Sequence, residues 1–377
     1  MKGRLTFDGQ PPEGAINLGL GMPSAETLRT DVLEKASESF FDGVHPFEFN
    51  YGTLSGDERF QHSLAGFLSD GYESTVDANS LFVTGGTSQG LDIASTVFAK
   101  PGDTVFVEEP SYFLAFQIFR DHGLNLVGVP VDENGIRIDA LEGLLEKHKP
   151  TFVYVIPSYH NPGGFCMSED RRQNLIELSQ KHGFLIVADE VYQLLHYYDR
   201  PPPAFGTRIE TDTVVSLGSF SKILAPAMRV GWIQTCPDLR NRLMDNGFVV
   251  SGGSVCHFAS HIVRHAIDLG LQQELVSDLR RTYRDRVEAM QNSLQEFFGD
   301  LATWRQPEGG YFFWLRLNEN VDTTALRERA RALETGFQPG AAFSIEGGFR
   351  NYLRLCFAHY NAEQIHEGVA RLRRTFD

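Results

Sequence analysis

Lys222 stands in Ser219-Phe220-Ser221-Lys222, directly after the apolar run Thr213 to Leu217, and Arg229 follows seven residues on. A lysine delivered by a strand end among hydroxyls is placed as a nucleophile. Its amine can form an imine with an aldehyde cofactor, exchange that bond for an amino-acid substrate, and then move the α-proton as a free base. Arg229, after Pro226-Ala227-Met228, can pair with a phosphate near the same lysine or form a structural ion pair. Ser219 and Ser221 offer hydrogen bonds to that phosphate, or cap the turn.

Other strand ends carry compatible groups. Gly85-Gly86-Thr87-Ser88-Gln89-Gly90 joins a strand to a helix start, leaving free backbone N–H groups and the hydroxyls of Thr87 and Ser88 for an anion; the plainer alternative is an N-cap after a glycine turn. Neither a dinucleotide fingerprint nor a Walker motif is present, so the cofactor is expected to be phosphorylated without having to be a nucleotide. Asp189 follows Phe184 to Ala188, where a carboxylate can keep a heterocyclic nitrogen protonated or cap the next helix. Tyr192 can add a phenol to the same mouth, or lie half buried on a helix. Asn161, before Pro162-Gly163-Gly164, can donate its amide to a phenolate or shape the turn. Tyr112, after Glu109-Pro110-Ser111, can cover a flat aromatic ring or simply pack. Arg354 alternates against Leu353, Leu355 and Phe357, which turns its guanidinium to the opposite face of a strand; there it can hold a carboxylate with two hydrogen bonds or serve structure.

These groups need a scaffold that delivers strand ends to one place. The pattern gives helices at Leu28 to Phe40 and Asp57 to Asp70. Strands at Ser80 to Thr84, Thr104 to Glu108, Asn125 to Val129, Thr151 to Ile156, Leu185 to Ala188 and Thr213 to Leu217 then alternate with helices at Ser88 to Phe98, Phe113 to His122, Glu169 to His182 and Leu239 to Asn246. Short, nearly continuous apolar strands fit a mostly parallel sheet covered on both faces, with ligands beyond the carboxyl ends of its strands. Ser254 to Phe298 reads as a long helical stretch broken near Gly270. Strands Tyr311 to Leu317 and Tyr352 to Phe357, with helices Thr323 to Glu334 and Ala362 to Arg374, make a smaller domain. Met1 to Met22, rich in Gly and Pro, reads as an extended arm.

The composition narrows the function classes. With 34 basic against 49 acidic residues, a net charge of −15 opposes nonspecific binding to phosphate backbones, so nucleic acid is not an expected partner. Cys166, Cys236, Cys256 and Cys356 have neither paired metal-site spacing nor a disulfide framework, and no stretch approaches membrane-spanning length. A cytoplasmic protein with reduced thiols, no metal and no membrane partner is the expectation.

The segment around Lys222 and Arg229, together with Asn161-Pro162, Asp189 and Tyr192, resembles the fold type I pyridoxal-phosphate enzymes, within the class I/II aminotransferases. The likeness runs from the arm at Asn17 to Met22 to the final helix. Tyr51-Gly52, Gly85 to Gly90 and Pro307-Glu308-Gly309-Gly310-Tyr311-Phe312-Phe313-Trp314 resemble the 2-aminoadipate, kynurenine and valine-pyruvate aminotransferase group, whose domain also occurs in MocR-type transcription regulators. The resemblance implies an α/β fold: a large domain with a mostly parallel seven-stranded sheet and a smaller α+β domain. The division would be 1–45 for the arm and part of the small domain, 46–265 for the large domain, and 266–377 for an interdomain helix and the C-terminal small domain.

It further implies pyridoxal 5'-phosphate as cofactor, attached to Lys222, with Lys222, Asp189 and Tyr192 in catalytic roles. Asp189 would meet the pyridine nitrogen, Asn161 and Tyr192 the ring hydroxyl, and Tyr112 the ring face. Thr87, Ser88, Ser219, Ser221 and Arg229 would hold the phosphate, joined by Tyr51 from the partner subunit of a homodimer with shared active sites. Arg354, Asn161 and Gly21 would contact the substrate. The implied reaction is ping-pong transfer of an α-amino group to a 2-oxo acid, with 2-oxoglutarate or pyruvate as acceptor.

Two other readings stay open on sequence. A lyase or cyclase would keep every cofactor residue and change the bond broken, although an arginine holding the α-carboxylate disfavours decarboxylation. A cofactor-binding sensor is the non-enzyme reading, against which stands the lack of a basic helix-turn-helix before the arm. Tyr311, Phe313 and Trp314 would shape a site for an aromatic or long side chain, or fill the small-domain core. Arg350 would meet an acidic side chain, or sit in an exposed loop.

Overall fold

The computed structural model describes residues 12–253 and 255–377, so the first part of the expected arm and Ser254 lie outside the described residues. A two-residue strand, β1 (Ile16–Asn17), opens the described chain, followed by α1 (Thr30–Phe41) and α2 (Glu58–Tyr72). Asp57 starts α2 as its N-cap, accepting the Phe60 N–H at 3.0 Å.

The main sheet contains β2 (Leu81–Thr84), β3 (Thr104–Glu109), β4 (Asn125–Asp132), β5 (Gly135–Ile136), β6 (Pro150–Val155), β7 (Leu185–Asp189), β8 (Val214–Ser219) and β9 (Gly231–Thr235), in the order β2-β9-β8-β7-β6-β3-β4-β5. Six of these strands stand where the sequence pattern puts them, and β9 completes the seven that the resemblance implies; β5 is a two-residue edge strand too short to leave an apolar pattern. Strands β4, β3, β6, β7 and β8 are parallel, while β9 runs antiparallel to both β8 and β2. Crossovers on both faces come from α3 (Thr87–Phe98), α4 (Phe113–Asp121), α5 (Ile138–Leu145) and α6 (Glu169–His182), with α7 (Pro237–Met244) and α8 (Gly247–Gly252) after β9.

Alternation along each strand explains why the runs look continuously apolar. Phe152 and Tyr154 of β6 pack with Phe116 and Phe119 on one face of the sheet, and Val153 and Val155 pack with Leu175 and Ile176 on the other. Both faces are covered, so every position of the strand except Thr151 is buried. Each such side chain removed from water contributes about 1.5–3 kcal/mol, which makes this sheet the rigid body against which a site can be held.

The smaller sheet has the order β10-β11-β14-β13, from β10 (Ala302–Thr303), β11 (Phe312–Leu317), β13 (Gln338–Pro339) and β14 (Tyr352–Cys356), all antiparallel; β12 (Thr335–Gly336) instead pairs in parallel with β1. The expected helical stretch before it is two helices, α9 (His257–Asp268) and α10 (Leu271–Phe298), divided at Gly270 as read from the sequence. Leu275, Leu279, Tyr283, Val287, Met290 and Leu294 form the buried stripe of α10 at spacings of three and four, facing α12 (Ala362–Arg373). Where a helix was expected from Thr323 to Glu334, α11 spans only Arg327–Ala332. The Thr323 hydroxyl is instead committed to the carbonyls of Arg350 and Tyr352, which holds the preceding turn against β14.

A buried polar frame fixes the loop after β6. Arg172 is fully buried and donates to the carbonyls of Met167, Pro203 and Pro157 and to the Ser158 hydroxyl. Its charge is faced by Glu190 at 3.7 Å, itself bonded to the N–H groups of Phe205 and Gly206 and to the hydroxyl of Ser216. Glu108 accepts the Ile156 N–H at 2.7 Å and lies 3.2 Å from His160, whose ring stacks on Phe165. These contacts satisfy most of the hydrogen-bonding capacity of a loop that would otherwise be costly to bury. Among the described residues no helix is long and apolar enough to cross a membrane.

Candidate active site

The carboxyl ends of β2, β3, β6, β7 and β8 and the amino end of β9 share one edge of the large sheet. A cleft of about 560 Å³ opens there, closed on the far side by the small sheet and the arm after β1. Lys222 lies inside it, one turn beyond β8. Its Nζ donates to the Gly21 carbonyl at 3.0 Å and stands 5.2 Å from the centre of the Tyr311 ring, whose hydroxyl donates to the Lys222 carbonyl. Burial lowers the amine's pKa to about 8, reinforced by the charges of Arg354 and Arg229 and opposed by Cys356 and Asp189. A lysine so placed is partly neutral near physiological pH and able to act as nucleophile or base.

Asp189 ends β7 beside it. One carboxylate oxygen accepts the Tyr154 hydroxyl at 2.9 Å; the other is buried and has no donor. Burial raises its pKa to about 6, although Tyr154, the Val191 N–H and the Lys222 charge pull it down. An unpartnered buried acceptor at the cleft wall costs roughly 1–3 kcal/mol until a donor reaches it. Tyr192 is buried beside Tyr311 and Phe312 and lines the same cleft, on a turn rather than a helix. Tyr112 precedes α4 and lines the opposite wall; burial pushes its phenol up to about 12, so it stays protonated.

The anion end is built around Gly86, which precedes α3 with φ +84°. Glycine is required there by conformation, and a Cβ would also stand 2.8 Å from a terminal guanidinium nitrogen of Arg229 and push that flexible end aside. No side chain caps α3, leaving its first N–H groups to meet a ligand together with the helix dipole. Arg229 donates to the Gly85 carbonyl at 2.7 Å and to the Pro226 carbonyl at 3.2 Å, with Ser221 Oγ at 3.4 Å. Thr87 and Ser221 line the cleft. Ser219 lies behind Ser221, its Oγ 2.9 Å from the Ser221 hydroxyl, and Ser88 is exposed on the next position of α3.

At the opposite end, Arg354 of β14 is buried but faces the cleft. It donates to Asn161 Oδ1 at 2.9 Å and to the Gly19 carbonyl at 3.0 Å, and lies flat on Phe312 at 3.9 Å from its centre. Its Nε is buried without an acceptor, and burial lowers its pKa to about 10, which still leaves it cationic at neutral pH. A guanidinium held over an aromatic face with N–H donors left free is suited to a carboxylate. Gly21 completes this end, 3.4 Å from Arg354 at its virtual Cβ position.

The structure therefore brings Lys222, Asp189, Tyr192, Tyr112, Asn161, Thr87, Ser221, Gly21 and Arg354 to one cleft, with Ser219 and Arg229 directly supporting its anion end. Tyr51 is 81% exposed and does not line this cleft of its own chain. Of the residues considered for the side-chain pocket, Phe313 belongs to the buried core and Trp314 packs on Tyr352 and Phe343, whereas Phe312, which sequence reasoning passed over, lines the cleft. Arg350 pairs with Asp322 on the surface, in keeping with the loop alternative. Tyr154, Arg327 and Gln338 were also missed; only the strand alternation of Tyr154, the last residue but one of β6, could have signalled its position. Away from the cleft, Asp57, His257 and His261 place possible metal-ligand atoms within 4.8 Å of one another, but Arg59 already pairs with Asp57 and with neighbouring Glu48.

The family model described as "Aminotransferase class I and II" matches residues 13–372. Aromatic-amino-acid aminotransferase 1 of Thermococcus litoralis is 32% identical over 96% of this chain and 87% of its own length. The 2-aminoadipate transaminase of Thermus thermophilus is 30% identical over 96% of this chain and 90% of its own. The crystal structure of Pyrococcus horikoshii kynurenine aminotransferase superposes with a TM-score of 0.89 at 30% identity, covering 96% of this chain and 90% of that one.

Proposed function

The chain belongs to the class I and II aminotransferases, pyridoxal-phosphate-dependent enzymes that move an amino group between an amino acid and a 2-oxo acid, and we propose that its cleft performs this transfer with the residues assigned below. The observation that carries the assignment is the unpartnered buried oxygen of Asp189 in the same cleft as the amine of Lys222. That oxygen fits a protonated ring nitrogen, and the uncapped start of α3 with Thr87, Ser221 and Arg229 fits a phosphate. The set accommodates pyridoxal phosphate, with Lys222 as its covalent anchor, Tyr112 at the ring face, and Asn161 and Tyr192 at the ring hydroxyl. When bound, the cofactor supplies an electron sink that acidifies the substrate's α-carbon.

The protein's own groups do the rest. Arg354 holds the substrate α-carboxylate, sets the orientation of the bonds at the α-carbon, and so favours proton removal over loss of carbon dioxide. Lys222, when not anchoring the cofactor, would take the α-proton on Nζ; its lowered pKa enlarges the neutral fraction that can accept it. Asp189 stays ionised opposite a cationic partner, since a positive charge lowers a carboxylate's pKa. Closing the far side with the arm and small sheet limits water, which favours transfer over side reactions.

We assign a homodimer in which Tyr51 reaches the partner's phosphate. Support comes from the exposed aromatic cluster of Phe41, Phe49 and Phe258, whose rings lie 6.2–6.3 Å apart and of which Phe49 stands just before Tyr51 in sequence. The acceptor is assigned as 2-oxoglutarate or pyruvate. The test follows the visible cofactor band of the purified holoenzyme: donors including phenylalanine, kynurenine, 2-aminoadipate and glutamate should bleach it, and an acceptor should restore it. A holoenzyme whose band responds to no donor would overturn the assignment, and ammonia release without an acceptor would turn it into a lyase.

A further inference from the structure

Helix α9 carries His257 and His261 four residues apart, which puts both rings on one face of the helix, one turn from each other. Their Nε2 atoms lie 3.3 Å apart, and Nε2 of His261 is also 3.4 Å from Oε2 of Glu48, in the short turn Pro46–Phe49 before Tyr51. Asp57, the N-cap of α2, brings a carboxylate oxygen within 4.8 Å of both histidines. His261 is fully buried, with its ring stacked on Phe40 at 5.3 Å between centres and 12° between planes. None of these residues lines the catalytic cleft.

On its own this histidine pair is poorly satisfied. Two neutral imidazoles meeting through Nε2 share one proton between them, and both Nδ1 atoms are buried with no hydrogen-bond partner. Protonating His261 is opposed by its burial, which lowers its pKa despite the charges of Asp57 and Glu48. Neutral imidazole is the form that binds metal. In a four-coordinate site with bonds of about 2.0–2.2 Å, ligand atoms stand about 3.3–3.6 Å from one another, which is the spacing of the His257–His261 and His261–Glu48 atoms.

Arg59 stands at the lip of this set. Its Nη2 bonds Oε2 of Glu48 and, at 3.1 Å, Oδ2 of Asp57, so a cation already gathers the two carboxylates, but one that is half exposed and singly charged. A dication would take those two oxygens together with both imidazoles, while Arg59 keeps Oε1 of Glu48 through Nη1 and Oδ1 of Asp57 continues to cap α2. Two imidazoles and two carboxylates suit a borderline ion such as zinc better than magnesium or calcium, which take oxygen ligands.

We propose that Glu48, Asp57, His257 and His261 bind one divalent cation of the zinc class, and that this ion clips the loop bearing Tyr51 onto α9. Glu48 and Asp57 flank that loop, so a single ion closes it. The expectation of no metal rests on cysteine spacing, and this set contains no cysteine. The site stands independently of the aminotransferase assignment; only the use of Tyr51 by a partner depends on it. Because neither Nδ1 has an acceptor to orient its ring, the affinity is expected to fall about 10–100-fold short of a fully supported site, in the micromolar range.

The experiment titrates chelator-treated holoenzyme with zinc chloride by calorimetry, with amide hydrogen exchange as the second readout. One equivalent per chain should bind, excess magnesium should not compete, and exchange of the 48–57 amides should slow by about fivefold or more. His257→Ala, and Asp57→Asn, which keeps an N-cap, should each weaken zinc by about tenfold or more. Arg59→Gln should tighten it by about threefold or more, since the competing charge is gone, and this surface variant keeps the test decisive where a more buried one fails to fold. A purely structural network of Arg59, carboxylates and histidines binds no stoichiometric zinc and gains nothing from that substitution. That result would overturn the site, as would binding that survives both His257→Ala and Asp57→Asn or leaves the 48–57 amides unprotected. A holoenzyme that responds to no amino donor would strike the cleft assignment and leave these zinc measurements unaffected.

Discussion

Arg354 and Asn161 join two separate sheets by a single hydrogen bond: the guanidinium of β14 donates at 2.9 Å to the amide oxygen of a loop fixed by β6. The two ends of the substrate pocket are thereby referenced to each other. Arg354→Lys keeps the charge but loses the planar fork and the contact with Phe312. It should cost roughly 2–4 kcal/mol in kcat/KM, with a raised KM for every α-carboxylate donor, as expected when one partner of a buried charged pair is truncated. Steady-state kinetics with several donors checks this; an effect confined to one donor would separate Arg354 from the α-carboxylate.

Removing the amine of Lys222 should abolish covalent retention of the cofactor as well as turnover. Borohydride reduction followed by intact-mass measurement distinguishes the two effects: the wild-type chain should gain the mass of the reduced cofactor, and Lys222→Ala should not.

The lowered pKa of Lys222 gives a pH prediction. With a value of about 8 the neutral fraction at pH 7 is about a tenth, far above that of an ordinary lysine, and covalent uptake of the cofactor aldehyde by the apoprotein should accelerate with pH and level off above pH 8. Between about pH 8 and the ordinary lysine value the folded apoprotein binds fewer protons than the unfolded chain, so its stability should rise with pH across that window. Lys222→Met should lose that rise in denaturant titrations of the apoprotein.

Asp189 behaves oppositely. Its pKa is raised to about 6, so the folded apoprotein binds more protons than the unfolded chain between the ordinary aspartate value and about pH 6, and stability should fall as pH increases through that range. Asp189→Asn should flatten this slope and, in the holoenzyme, lower kcat by about a hundredfold or more through loss of the charge opposite the ring nitrogen. An unaltered kcat would remove Asp189 from the chemistry.

Shared sites have a quantitative signature. Tyr51→Ala and Lys222→Ala homodimers should each be severely impaired, yet random exchange of their subunits should restore about a quarter of wild-type activity, because half the dimers are mixed and each mixed dimer has one site with both residues intact. No recovery after demonstrated exchange would place Tyr51 outside the partner's site.

Much of this site was legible because its residues follow strands. Lys222, Asp189 and Asn161 come just after, or at the end of, runs whose apolar continuity marks them as fully buried, and a parallel sheet sends those ends to one edge. Gln338 carried no such mark. Its strand has two residues, and its place in the cleft depends on register with Arg354, which no local pattern specifies. Arg327 was hidden inside a helix expected to be twice as long, since the use of the Thr323 hydroxyl by distant carbonyls is a tertiary event. Phe312 was overlooked among neighbouring aromatics because composition alone does not tell which side of β11 meets the cleft.

The reversal of β9 has a mechanical consequence. The register pairing of Ser219 with Gly231, extended by the Phe220 N–H to the Val230 carbonyl at 3.0 Å, clamps both legs of the excursion that carries Lys222 and Arg229. The spacing between the amine and the anion end is therefore set within one stapled hairpin and is indifferent to hinge motion. Arg354 rides on the other sheet, so a rocking of that sheet changes the grip on substrate while leaving the anchorage of the cofactor untouched.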